Sequence, residues 1–182
     1  MSNTTSNAIT KNYSGKFGNQ FVFRNRNGKS ILAALPVRTG DSPTEAQQNV
    51  RRKFTNASHY AKQILLDPEM LAAYSAKAND GQSPYLVAMS DYLRSPSVDE
   101  IDVEKYAGNP GDLVRVQASD DFKVTEVSLR IIDANGDVIE AGPCQLDTLG
   151  IWWEYTATVT VASLPGVEII ATARDIPGHT GE

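Results

Sequence analysis

Apolar residues recur along this chain with two different periods, and the switch from one to the other near residue 95 divides it. The stretch KFGNQFVFRNRNGKSILAALPVR, residues 16–38, places two apolar runs on either side of Asn27-Gly28. That dipeptide tolerates the positive φ angles of a tight hairpin turn, so a β-hairpin is predicted in which Arg26 faces Lys29, Phe23 faces Leu32 and Phe21 faces Ala34. Residues 43–66 follow with Val50, Phe54, Ala57, Ala61, Ile64 and Leu65 at helical spacing, opened by Ser42-Pro43-Thr44-Glu45, an N-cap, a proline at the first helical position and a capping-box glutamate. Asp67-Pro68 opens a second short helix ended by Asn79-Asp80-Gly81, and Ser83-Pro84 a third ended before Ser95-Pro96.

From residue 96 onward the period is two. Val114, Val116 and Ala118 alternate, as do Val127, Leu129 and Ile131, then Ile151, Trp153, Tyr155, Ala157, Val159 and Val161, then Val167, Ile169, Ala171 and Ala173. Asn135-Gly136 makes a second hairpin turn into Val138 and Ile139, and an edge strand is expected near 101–106. The expectation is an α+β chain with a polar arm over 1–15, a hairpin and three helices over 16–95, and a six-stranded antiparallel sandwich over 96–182.

The stretches GDLVRVQASDDFKVTEVSLRIIDANGDVIEAG, WWEYTATV and IIATARDIPGHTG resemble bacterial immunoglobulin-like domains, in which an Ala-x-Asp-x-Pro-Gly segment follows the penultimate strand. GKFGNQFVFRNRNGK and SPTEAQQNVRRKF resemble the opening of a group of uncharacterised bacterial proteins, some phage-like in association. The resemblance implies an immunoglobulin-like fold for the back half and no particular activity. A sandwich of that kind ends in a strand beside the sixth, and ATARDIPGHTGE stops where it should begin. The expected fold is therefore an immunoglobulin-like sandwich lacking its last strand, with an open edge at residues 167–174.

Charge sharpens this picture. The net charge is −5, yet residues 1–65 carry ten Lys/Arg against Asp41 and Glu45, and residues 66–182 carry seven against twenty acids. The front is thus +8 and the back −13, which suits either a polyanion on the basic part or a head-to-tail meeting of copies. A single cysteine, Cys144, and two histidines provide neither an internal disulfide nor a zinc ligand set. The first twenty residues lack the apolar core of a signal peptide, and no stretch reaches the roughly 20 apolar residues of a membrane span. The chain is expected to be cytoplasmic as synthesised, with extracellular or particle-associated use by a non-secretory route left open.

Candidate chemistry is sparse. Asp120, Asp121 and Asp175 fall in two loops at one end of the sandwich and are oxygen ligands of the type calcium takes, though turn capping is the favoured account of three carboxylates from two loops. No other cofactor is indicated. Neither His59 on the first helix nor His179 in the tail has a nucleophile setting, and no glycine-rich loop forms a phosphate cradle, so the chain is read as non-enzymatic. Arg24, Arg26, Lys29, Arg38, Arg51, Arg52 and Lys53, with Phe21 and Phe23 nearby, form a basic surface suited to nucleic acid, or else charges that are simply solvated. Trp153 is expected in the core; Trp152 points outward, to a partner or beneath the helices.

The leading expectation is a structural protein whose copies join by strand addition into a filament or particle. Ile9, Tyr13, Phe17, Phe21 and Phe23 would form the donor side, and Trp152, Val167, Ile169 and Ile170 the acceptor side. The second reading is a nucleic-acid-binding accessory protein that uses the basic front half.

Overall fold

The computed structural model describes residues 2–3, 13–26, 29–36 and 42–182. The chain forms two compact units, residues 1–48 and 49–182. In the first, β1 (Ser2–Asn3), β2 (Gly15–Phe17), β3 (Phe21–Arg26) and β4 (Lys29–Ala34) make an antiparallel sheet in the order β1-β4-β3-β2. The expected register holds: Phe21 pairs with Ala34, Phe23 with Leu32 and Arg26 with Lys29. The Asn27-Gly28 turn itself lies outside the described residues, as do Ile9 and Arg38. Among the described residues of this unit no apolar side chain is buried, and Phe17 stays 69% exposed. The ribbon is held by its backbone ladder and not by a core.

Helix α1 (Glu45–Ile64) starts two residues later than its expected punctuation. The reciprocal cap is Thr44 with Gln47, where the Thr44 N–H donates to Gln47 Oε1 at 3.2 Å and the Gln47 N–H to Thr44 Oγ1 at 3.3 Å. With Glu45 as the first helical residue, Gln47 is the one three positions past the cap, which is the distance the motif requires. Helices α2 (Pro68–Lys77) and α3 (Pro84–Leu93) begin as expected, capped by Asp67 and Ser83. The apolar stripe of α1 does not pack along its whole length. Ala57 and Ala61 are buried, but Val50 and Phe54 are 54% and 53% exposed, because residues 45–56 all lie ahead of the segment that the other two helices cover. Tyr74, Val87 and Ala88 complete that small core.

Eight strands follow: β5 (Ser97–Asp102), β6 (Leu113–Ser119), β7 (Val124–Ile132), β8 (Val138–Pro143), β9 (Gln145–Leu146), β10 (Trp153–Thr156), β11 (Glu168–Asp175) and β12 (Thr180–Gly181). They form two antiparallel sheets, β5-β6-β10-β9 and β12-β11-β7-β8. The period-2 residues do what alternation requires: Val114 and Val116 from one sheet meet Val127, Leu129, Ile131, Ala171 and Ala173 from the other in a single core. Two expectations fail in detail. The strand that starts at 153 ends at 156, since Ala157 and Val161 turn to bond Gly111, Asp112 and Gly108, which leaves Val159 exposed, and exposed Ile151 belongs to the preceding turn, where its N–H donates to Asp147 Oδ1 at 2.8 Å. The helices also belong with the sheets and not with the hairpin, so residues 95/96 do not separate compact units. Phe122, in the loop between β6 and β7, stacks on Tyr74 with ring centroids 4.1 Å apart, and the Arg94 guanidinium meets Asp121 at 2.6 Å.

The place expected to stand empty beside the sixth strand is partly filled. After the Pro177-Gly178 turn the chain returns as β12, which pairs Gly181 with Ala173 and Thr180 with Arg174. The Asp175 carboxylate accepts the His179 N–H at 2.6 Å, so the tail is tied into the sheet. Gly181 fits only because it lacks a side chain: a Cβ there would lie 1.8 Å from the Pro96 carbonyl oxygen.

The contrast between the cored unit and the coreless ribbon predicts unequal responses to truncation. Leu129→Ala is expected to cost about 2–5 kcal/mol in urea unfolding, as buried leucines do, whereas Phe17→Ala shifts the monomer by less than about 0.5 kcal/mol. Equal losses in the two variants would show that the ribbon is packed.

Candidate functional site

Strand β11 carries EIIATARD, a run rich in β-branched and small residues that favours a half-buried strand. Its inward side chains Ile169, Ala171 and Ala173 enter the core, and its full length pairs with β7 on one side. On the other side only Ala173 and Arg174 have a partner, in β12. Among the described residues no strand pairs with that side of Glu168 to Thr172. The edge of the facing sheet is β5, which differs in kind. It carries a bulge between Val98 and Glu100 and two acids, Asp99 and Glu100, features that discourage a further strand. Between the two edges runs a cleft of about 330 Å³, with Val98, Asp99, Glu100 and Ile101 on the β5 side, Ile169, Ile170 and Ala171 on the β11 side, and Glu182 at its end, where it accepts from Thr172 Oγ1 at 3.4 Å. Its floor is apolar, and one lip carries negative charge. Val167, expected at the same edge, packs against the core just ahead of β11.

The other expected contact residues divide. Tyr13 and Phe23 lie in one aromatic pair of the ribbon, centroids 6.1 Å apart, beside exposed Phe17 and Phe21. Trp153 packs against the core as expected. Trp152 is half-buried, and the Arg115 guanidinium sits 5.0 Å from its ring centroid, held there by Asp102. Asp102 is in turn kept below the usual carboxylate range by the Glu104 N–H and by Arg115.

The three carboxylates considered for calcium each have partners of their own. Asp120 Oδ2 accepts the N–H groups of Phe122 and Lys123 at 3.1 and 3.0 Å, Asp121 takes Arg94 and Ser90, and Asp175 takes His179. Among the described residues no group of three or more His, Cys, Asp or Glu is arranged to hold a metal ion. Of the basic residues, Arg24, Lys29, Arg51, Arg52 and Lys53 are exposed; Arg51 to Lys53 stand on the uncovered turns of α1, where Arg52 donates to Asn49 Oδ1 at 2.6 Å. Arg26 pairs through its backbone with Lys29 at the hairpin end.

Sequence reasoning missed a buried polar chain. Tyr60 and Tyr74 hydroxyls lie 3.0 Å apart, and Tyr74 donates to Asp91 Oδ2 at 2.6 Å. Asp91 is 1% exposed on α3, and burial raises its carboxyl to about 6, with Asp120 and Asp175 adding to the rise and the Tyr74 hydrogen bond opposing it. Burial likewise pushes Tyr60 up to about 12 and raises Tyr74. Asp91 and the tyrosines sit at ordinary helical positions, so only the spatial neighbourhood reveals them. A second buried acid, Glu140, accepts from Tyr155 at 3.2 Å and from the Thr158 N–H and hydroxyl at 2.9 and 2.8 Å. Burial alone pushes the Cys144 thiol up to about 11, which suits a packed residue and not a reactive one.

Because the folded carboxyl of Asp91 titrates near 6 and the free one near 3.8, folding favours its protonated form. Its contribution is complete below the lower value and is lost as pH rises through the upper one. Relative to Asp91→Asn, the unmodified chain is expected to lose about 3 kcal/mol between roughly pH 4 and pH 7 in denaturant titrations. Parallel stability curves for the two proteins would contradict this.

No helix among the described residues is long and apolar enough to cross a membrane. No family model matches the chain, and no curated protein does. Among solved structures, the crystal structure of an engineered protein matches 58% of this chain at 15% identity with a TM-score of 0.33. The match spans 30% of that structure, and a likeness this distant carries no argument.

Proposed function

We propose that this chain is a non-enzymatic structural protein whose copies join head to tail by strand addition, and that its sandwich is of the immunoglobulin-like kind. The observation that carries the proposal is the outer edge of β11, five residues that no strand among the described residues pairs with, above a cleft with an apolar floor. An edge of this sort offers backbone donors and acceptors to any extended segment, and natural sheets ordinarily blunt such edges with charge, bulges or proline. Strand β5 is blunted in that way, while the β11 run carries one charge of its own, Glu168, ahead of the apolar Ile169, Ile170 and Ala171. An added strand would gain backbone hydrogen bonds and cover apolar surface at about 25 cal/mol per Å². The opposite signs of residues 1–65 and 66–182 favour a joint between unlike ends, and such a joint propagates into a filament if it does not close into a ring.

Electron micrographs and sedimentation of the purified protein test this reading. Assemblies are expected above a threshold concentration, and monomers alone at every concentration would sink the idea. Deletion of residues 1–35 is expected to abolish assembly while leaving the cored unit folded; a truncated chain that still polymerises would refute the head-to-tail form.

A second reading has one observation in its favour. Twelve successive helical residues, 45–56, are exposed and carry Arg51, Arg52 and Lys53, an arrangement open to a polyanion. Phosphate-driven binding is strongest at low salt. A gel shift with single- and double-stranded nucleic acid at low ionic strength is the deciding measurement, and unshifted bands there end that reading.

A further inference from the structure

We propose that the segment received beside β11 is Tyr13 to Phe17, the outer edge of β2 with the two residues ahead of it, supplied by a second copy of the chain. This rests on the reading of assembly by strand addition and names the donor. The topology of the ribbon limits the choice. Strand β3 is flanked by β2 and β4, and β4 is flanked by β3 and β1, so β2 is the strand of three residues or more that keeps a whole side unpaired among the described residues. Every residue from Tyr13 to Gln20 is exposed. Gly15, with φ +114°, has nothing within 4 Å of where a Cβ would be, which leaves room for another backbone to approach.

The side chains match the cleft. Gly15 pairs with Phe23 and Phe17 with Phe21, so Phe17 lies on the aromatic face that also holds the Tyr13 and Phe23 rings, while Lys16 points the other way. A strand with Tyr13 and Phe17 on one face and Lys16 on the other suits a cleft floored by Val98, Ile101 and Ile169 and edged by Asp99 and Glu100. Lengths agree too: five residues span about 17 Å, the extent of the unpaired run from Glu168 to Thr172. Charge selects the partner. The ribbon brings Lys16, Arg24 and Lys29 toward an acidic lip, whereas two acidic edges or two basic ribbons would repel. A second copy brings unlike charges together at each joint.

Cross-linking between copies tests the assignment. Two full-length chains of different tag mass, one Phe17→Cys and one Ile169→Cys, whose side chains would share the inward face of the joint, are mixed under assembling conditions and oxidised gently; buried Cys144 serves as the internal control in the unmodified chain. The expected result is a disulfide-linked heterodimer in excess of either homodimer, lost when Lys16→Glu is added to the donor chain. A second pair, Ser14→Cys with Ile170→Cys on the outward face, keeps the anchor ring, so that a chain weakened by loss of Phe17 still reports the contact. If the unmodified protein assembles but neither donor-side cysteine cross-links to its β11 counterpart more than to a control Lys123→Cys, the donor assignment is overturned and assembly by another segment stands. If the unmodified protein forms no assembly at any concentration, the donor assignment and the functional reading fall together.

Discussion

A strand whose inward face is buried must also satisfy its backbone on both sides, and β11 meets only part of that requirement. One side pairs with β7 throughout, and the core contributed by Ile169, Ala171 and Ala173 depends on that ladder. The other side pairs for two residues with β12 and then stops. Much of the back unit is arranged around this strand. Asp175 at its end holds the returning tail through His179, and Thr125 of β7 donates to the carbonyls of Arg174 and Asp175 where the register slips. Gly181 is wedged against Pro96 at the start of β5, which fixes where the cleft between the two edges opens.

The helices are joined to the sheets by a different kind of contact. Phe122 closes over Tyr74, and behind that ring lies a chain of hydroxyl and carboxyl groups running from Tyr60 through Tyr74 to Asp91. Such a network is stable when its protons are placed and costly when they are not. Burial, with nearby Asp120 and Asp175 adding to it, makes the charged form of Asp91 unfavourable, so the joint between helices and sheets weakens as pH rises through about 6. Among the described residues of the front unit no apolar side chain is buried. Its strands carry Phe17, Phe21 and Phe23 without burying them, which is unusual for a sheet meant to stand alone and fitting for one meant to meet a partner.

The sequence determined local structure wherever a local rule was sufficient. The hairpin register followed from the two-residue turn, the second and third helices from Asp67-Pro68 and Ser83-Pro84, and the core faces of β6, β7 and β11 from alternation, because each depends on neighbours within a few residues. The open side of β11 was legible too, as an apolar strand close to the last turn. Tertiary structure alone decided how far each pattern was used. Val50 and Phe54 fit a helical stripe but find nothing to cover them, and Val159 fits an alternating strand that has already turned away to bond the 108–112 loop. The return of residues 180–181, the covering of Trp152 by Arg115 and the burial of Asp91 are contacts between segments far apart in the chain. Periodicity records which face a residue offers; whether another element comes to meet that face is settled only when the whole chain packs.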